Sequence, residues 1–174
     1  MTKKKSSSSA LPGVFALMTL LLGVLGVVLM YTLELIGFGL QLGDNKSDAI
    51  MIVGKDVMFG SKSQYGDLDL LKPTPMAIVS WVLLLAGAAL ALVALICLLM
   101  KGRKFSKVMM LLAGLLLIVG GAMVFAIGPN FSSVNLVDTG EFNLFYTTLG
   151  VGGWLGGIFG IVGGLLGLGG AIVK

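Results

Sequence analysis

With no histidine in the sequence, reactive chemistry would have to come from eight carboxylates, one thiol and scattered hydroxyls. A Ser–His or Cys–His nucleophile is therefore unavailable. Cys97 lies alone inside an apolar run, where a thiol behaves as a small hydrophobe and has no partner for an internal disulfide. The densest acidic group is Asp67-Leu-Asp69 with Asp44 and Asp48. It lacks the regular acidic positions and the turn glycine of a calcium loop, so these read as solvated surface carboxylates. No set of residues has metal-ligand spacing, and neither metal nor cofactor is expected. The glycines beyond position 150 imitate a GxGxxG pattern because glycine is everywhere there. Without a following Lys-Ser/Thr or a strand-turn-helix setting, they make no phosphate cradle. The hydroxyls of Ser80, Thr147 and Thr148 sit near the ends of apolar runs, where bonding to the backbone or the interface is expected rather than catalysis.

Glu34 is the one carboxylate that could enter a membrane. If its helix continued through Leu40, Glu34 would lie below the outer surface and face other helices, as a residue of an ion or substrate pathway would. If the helix stops near Leu33, Glu34 is an interfacial carboxylate, and that is the reading preferred here.

The elements that position these groups follow from composition. The chain is 57% hydrophobic and 11% charged, with a mean hydropathy of +1.05. A soluble domain carries about 25% charge, so most of this surface is matched to lipid. Four runs reach the ~20 apolar residues of a spanning helix: 11–34, 76–100, 108–128 and 144–173. All four prolines (Pro12, Pro73, Pro75 and Pro129) fall at or beyond the ends of these runs, where they least disturb a helical ladder.

The charges sort by side. Lys3, Lys4, Lys5, Lys101, Arg103, Lys104, Lys107 and Lys174 flank the tail 1–10, the connection 101–107 and the C-terminus, with no acid among them. All eight carboxylates fall in the segments 34–75 and 129–143. The positive-inside rule then puts both termini in the cytoplasm, in a chain expected in the plasma membrane. Tyr31, Trp81, Tyr146 and Trp154 all come out near the outer interface, as an aromatic belt would. The first run is too long for the core of a cleaved signal and reads as a signal anchor. Ser6–Ser9 reads as a short flexible tail. Orientation alone accounts for the basic flanks, so they imply neither nucleic acid nor a specific anionic lipid.

Segment 35–75 is too long for a turn. Ala49–Val53, a turn at Gly54-Lys55-Asp56, and Val57–Phe59 suggest a β-hairpin, with Phe38–Leu42 as a possible third strand. Residues 61–67 read as irregular loop. Thr74 is expected to cap the second helix with Pro75 at its first position. The second outer loop, 129–143, reads as short, polar and acidic. Asn45-Lys-Ser47 and Asn130-Phe-Ser132 match the glycosylation sequon and face outward.

From Gly152 to Gly170, ten of 19 residues are glycine. At 100° per residue, Gly152, Gly153, Gly156, Gly157, Gly160, Gly163, Gly164, Gly167 and Gly170 fall within about 140° of arc, and the bulky residues fall opposite. A linker has no reason to sort small from large at helical spacing. Gly152, Gly156, Gly160 and Gly164 form an i, i+4 ladder for close helix contact. Its partners are sought inside the same molecule, with Gly87, Ala91 and Ala94 on the second helix and Gly114 and Gly121 on the third. The rival reading puts the ladder between subunits.

The expected fold is an all-α membrane protein: a four-transmembrane-helix antiparallel bundle with a small extracytoplasmic β-hairpin segment between helices 1 and 2. This layout resembles that of claudin-like tetraspans in topology alone. Their Trp…Gly-Leu-Trp…Cys…Cys signature is absent, and segment 35–75 contains neither tryptophan nor cysteine, so no family is assigned. The expected role is non-enzymatic: a structural, scaffolding or accessory subunit. Its partners would be the lipid bilayer and either further copies or another membrane protein. The alternative is a subunit of an oligomeric channel or transporter with the fourth-helix glycines at subunit contacts.

Overall fold

Peptide groups in hydrocarbon must be satisfied within their own segment, so long apolar runs become helices even where glycine is frequent. The computed structural model describes residues 11–42, 45–62, 69–135 and 145–173. In chain order the first elements are α1 (Leu11–Thr32), β1 (Glu34–Leu42), β2 (Asn45–Lys46), β3 (Ile50–Val53), α2 (Gly54–Phe59), β4 (Ser61–Lys62) and β5 (Asp69–Leu71). Next come α3 (Pro75–Leu99), α4 (Arg103–Val124), α5 (Ile127–Asn135), β6 (Phe145–Leu149) and α6 (Val151–Ile172). The helices α1, α3, α4 and α6 are each long and apolar enough to cross a membrane. At about 1.5 Å per residue, a helix of 22 residues reaches about 33 Å, against a hydrocarbon core of about 30 Å. The tail 1–10 with Lys3, Lys4 and Lys5, the stretch 63–67, and Asp44, Asp67, Asp138, Glu141 and Lys174 lie outside the described residues.

Several boundaries differ from the sequence reading. The hairpin between the first two long helices is formed by β1 against β2 and β3, antiparallel, not by Ala49–Val53 against Val57–Phe59. Val57–Phe59 belongs to the helical turn α2. The cause is at Gly54. Its N–H bonds the Leu33 carbonyl at 2.9 Å, and the Met30 carbonyl lies so close that no side chain would fit. The chain therefore turns onto the end of α1 instead of doubling back on β3.

Phe145–Leu149, read as the start of the fourth apolar run, is strand β6, which pairs antiparallel with the other edge of β1. Aromatic and β-branched residues suit that pleated surface, and Gly150 then opens α6. The basic stretch 101–107 is mostly helix: Arg103, Lys104 and Lys107 lie in α4, leaving only a tight turn after α3. The loop expected at 129–143 contains most of α5.

Among the long helices, α6 packs on α1 and α4, and α3 packs on α4 and α1. Their outward faces carry exposed Leu, Val and Ile, such as Leu21, Val82, Leu115 and Val162. The main core lies toward the sheet and joins Met30, Leu35, Ile36, Val57, Met58, Leu84, Ile127 and Phe131. A smaller cluster of Ala16, Ala94 and Met110 lies toward the other end.

Candidate functional site

Two regions stand out from the lipid-matched surface: the glycine seam along α6 and the cap built from the sheet and α5. The nine glycines of the small arc are all buried. An i, i+4 row drifts about 40° per step on a helix, so one ladder meets two neighbours in turn. Near its start, a Cβ on Gly152 would come within 2.8 Å of the Leu29 carbonyl oxygen, and one on Gly156 within 3.1 Å of Met30 Cβ, both on α1. Further along, Gly160 and Gly164 face α4. A Cβ on Gly164 would stand 2.6 Å from the Gly114 carbonyl oxygen, and one on Gly114 would stand 2.7 Å from that of Gly164. Gly121 meets the carbonyl of Gly157 in the same way, at 2.8 Å. Gly167 lies between the two neighbours, against Thr19 of α1 and Gly114 of α4.

The stripe on α3 is used elsewhere. A Cβ on Gly87 would strike Leu117 of α4 at 2.7 Å, and Ala91 and Ala94 are fully buried. The α3 residue that meets the glycine arc is Leu84, whose side chain would clash with a Cβ on Gly160.

The cap is joined to the long helices by bonds between residues distant in sequence. Thr74 holds the N-cap position of α3 with Pro75 after it, but its side chain makes no cap bond. The bond comes instead from α5, where Asn130 Oδ1 accepts the Met76 N–H at 3.1 Å. Asn135 brackets the same approach: Oδ1 accepts from the Lys72 N–H at 2.7 Å and Nδ2 donates to the Lys72 carbonyl at 3.2 Å. Asn130, read as a sequon, thus has its amide oxygen engaged, and a glycan on its nitrogen would have to share that side chain. In the other sequon, Asn45 sits in β2 beside Leu42, and the Ser47 hydroxyl accepts from the Leu40 N–H at 2.9 Å. Long-range asparagine struts carry no periodicity, and in a segment that already holds Ser132 and Ser133 nothing local sets Asn130 and Asn135 apart.

Glu34 opens β1, exposed and opposite Val53, just past the end of α1. Ser80 donates to the Met76 carbonyl at 2.9 Å, within its own helix. Thr147 and Thr148 lie in β6 across from Phe38 and Gly37. Cys97 is a partly buried free thiol on α3. Asp48 is exposed; Asp44 and Asp67 lie outside the described residues, and among the described residues no three acidic or thiol groups lie together as metal ligands would.

Aromatic residues collect where the long helices meet the cap. Tyr31 lies 6.0 Å from Trp81, and Phe59 meets Trp81 edge-on at 6.5 Å. Phe125 meets Trp154 edge-on at 5.4 Å. The described side-chain carboxylates (Glu34, Asp48 and Asp56) are at this end, and Lys101, Arg103, Lys104 and Lys107 are at the opposite one. On the cap itself Ile50, Met51 and Leu40 stay exposed, Ile50 at 63%. No protein-family model matches this chain, and no curated protein matches it.

Proposed function

We propose that the chain is a non-enzymatic integral membrane protein, a structural or accessory subunit. In this reading it is an antiparallel four-helix bundle in the plasma membrane, both termini cytoplasmic and the cap outside. It acts by presenting that cap to a second membrane protein. The observation that carries the reading is the closed glycine seam. Backbone lies against backbone at Gly114–Gly164 and Gly121–Gly157, and the buried polar side chains within the long helices are Thr19, Ser80 and Ser106 alone among the described residues. A seam of this kind gives rigidity and offers no polar path for an ion or a substrate. The ladder is also occupied within the chain, so contacts with another subunit fall on other surfaces. The exposed apolar residues of β3, Ile50 and Met51, lie on opposite faces of a strand bonded to β1 along one side, and the strand edge they flank is best suited to a partner.

The test is purification in mild detergent followed by intact-mass measurement. The expected result is one copy of this chain with a stoichiometric partner, lost when Ile50→Glu and Met51→Glu are combined while the monomer stays folded. A homo-oligomer that conducts ions in liposomes, with conductance abolished by Glu34→Gln, would overturn the reading in favour of a channel subunit. Orientation is tested in a Cys97→Ala background. Single cysteines at Lys55 and Lys107 should react with impermeant reagent from opposite sides of the membrane.

A further inference from the structure

The end of the molecule away from the cap holds an apolar crevice with a positive mouth. It is lined by Pro12 and Gly13 of α1, Leu95, Leu98 and Leu99 of α3, and Lys101 and Arg103, the last two exposed to solvent. Its volume is about 280 Å³. A smaller hollow beside it shares Pro12, Leu98 and Arg103 and adds Lys107. No described side-chain carboxylate lies at this end, since Glu34, Asp48 and Asp56 all belong to the cap side.

Membrane orientation requires basic residues in this connection, but it does not require where they sit. Lys101 has φ 64° and is the one described non-glycine residue with positive φ. It comes just after the last turn of α3, its N–H bonded to the Leu98 carbonyl and that of Gly102 to the Cys97 carbonyl. That left-handed position is one glycine ordinarily takes, yet the glycine here comes one residue later. Arg103 and Lys104 open α4, with Lys107 one turn on, and the first turn contains no acid, although the start of a helix favours negative charge. The Ser106 hydroxyl donates to the Ala94 carbonyl at 2.9 Å, buried, and fixes this turn of α4 to α3. An anion at the mouth would offset the unfavourable charge at the start of α4, and an acyl chain would fill the leucine walls.

We propose that the crevice binds one anionic phospholipid, its phosphate between Lys101 and Arg103 and its acyl chain along Leu95, Leu98 and Leu99. Basic pockets at helix ends recognise anionic headgroups in this way. The chain's own tail is a poor occupant because Lys3, Lys4 and Lys5 would bring positive charge to a positive mouth.

The test is native mass spectrometry of the full chain, delipidated in detergent and titrated separately with dioleoylphosphatidylglycerol and dioleoylphosphatidylcholine. The expected result is one phosphatidylglycerol per chain, bound at least ten-fold more tightly than phosphatidylcholine. Lys101→Gly with Arg103→Gln should abolish that preference. Gly13→Leu tests the crevice without touching charge. A Cβ at Gly13 meets nothing within 4 Å, so the leucine enters open space, and it should lower phosphatidylglycerol binding at least ten-fold with the unfolding temperature unchanged. Equal binding of the two lipids would overturn the proposal. So would an intact preference in Gly13→Leu, which would mean that surface charge alone attracts the lipid. Full competition by glycerol 3-phosphate would also overturn it, by assigning the mouth to a soluble anion.

Discussion

The cap side and the α4–α6 seam are held together by opposite means. On the cap side, large side chains fill space between elements: Phe131, Met30, Leu35, Ile36 and Met58 are all fully buried, and Phe38 packs on Phe131 at 6.2 Å. Along the seam, side chains are missing and main chains touch, as at Gly114–Gly164. Apolar burial drives the first where the cap meets water. In lipid, burying an apolar side chain gains little over leaving it among acyl chains, so close backbone packing does that work in the second. The difference implies that deletion should damage the cap and addition should damage the seam.

Phe131→Ala should have the largest effect, a loss of about 4 kcal/mol, because it leaves a cavity where the largest of the fully buried side chains stood. Chemical unfolding of the purified protein measures it. If the loss were under about 1 kcal/mol, side-chain packing would not be what holds the cap. Gly164→Leu should come next, at about 3 kcal/mol, because the new side chain meets the Gly114 carbonyl and Ile118 with no free space. Its contrast is Gly169→Leu, where the nearest atom to a Cβ is at 3.5 Å, on the Phe15 ring. That change should move the melting temperature far less, and equal effects would mean the seam is not selective.

A smaller effect is expected at the strut that ties α5 to the start of α3. Asn130→Ala should cost about 1–2 kcal/mol, since it leaves the Met76 N–H without its acceptor. Asn130→Asp keeps an acceptor oxygen and should recover most of the loss, which hydrogen exchange at the start of α3 would report. The smallest change has the opposite sign. Lys101→Gly should stabilise by about 1 kcal/mol by relieving the left-handed backbone. A thermal melt in lipid-free detergent isolates that gain from any lipid contribution.

Much of this architecture is legible in residue order because lipid imposes lengths. The expected spans 11–34, 76–100 and 108–128 lie within a few residues of α1, α3 and α4. The 140° glycine arc coincides with the buried side of α6 because both arise from helical periodicity. The segment Phe145–Leu149 shows where such reading stops. It runs into α6 with no charged residue between them, and a short apolar run has no period that separates strand from helix. Its conformation depends on β1, more than a hundred residues earlier in the chain. The same holds for Val57–Phe59, whose turn into α2 depends on Gly54 meeting the end of α1. Asn130 and Asn135 reach back to Met76 and Lys72 across a whole pair of long helices, beyond any local pattern.

Residue order alone therefore determined which segments suit hydrocarbon, where the charges collect and which side of the last helix is bare, since each depends only on composition and on the rise and twist of one helix. Tertiary structure decided which neighbours the bare side meets, which apolar stretches become strand, which asparagines tie the cap down and where the basic residues border a crevice. Each of those depends on backbone groups brought together from distant parts of the chain, and a hydrogen-bond partner or a close approach exists only once both segments are in place.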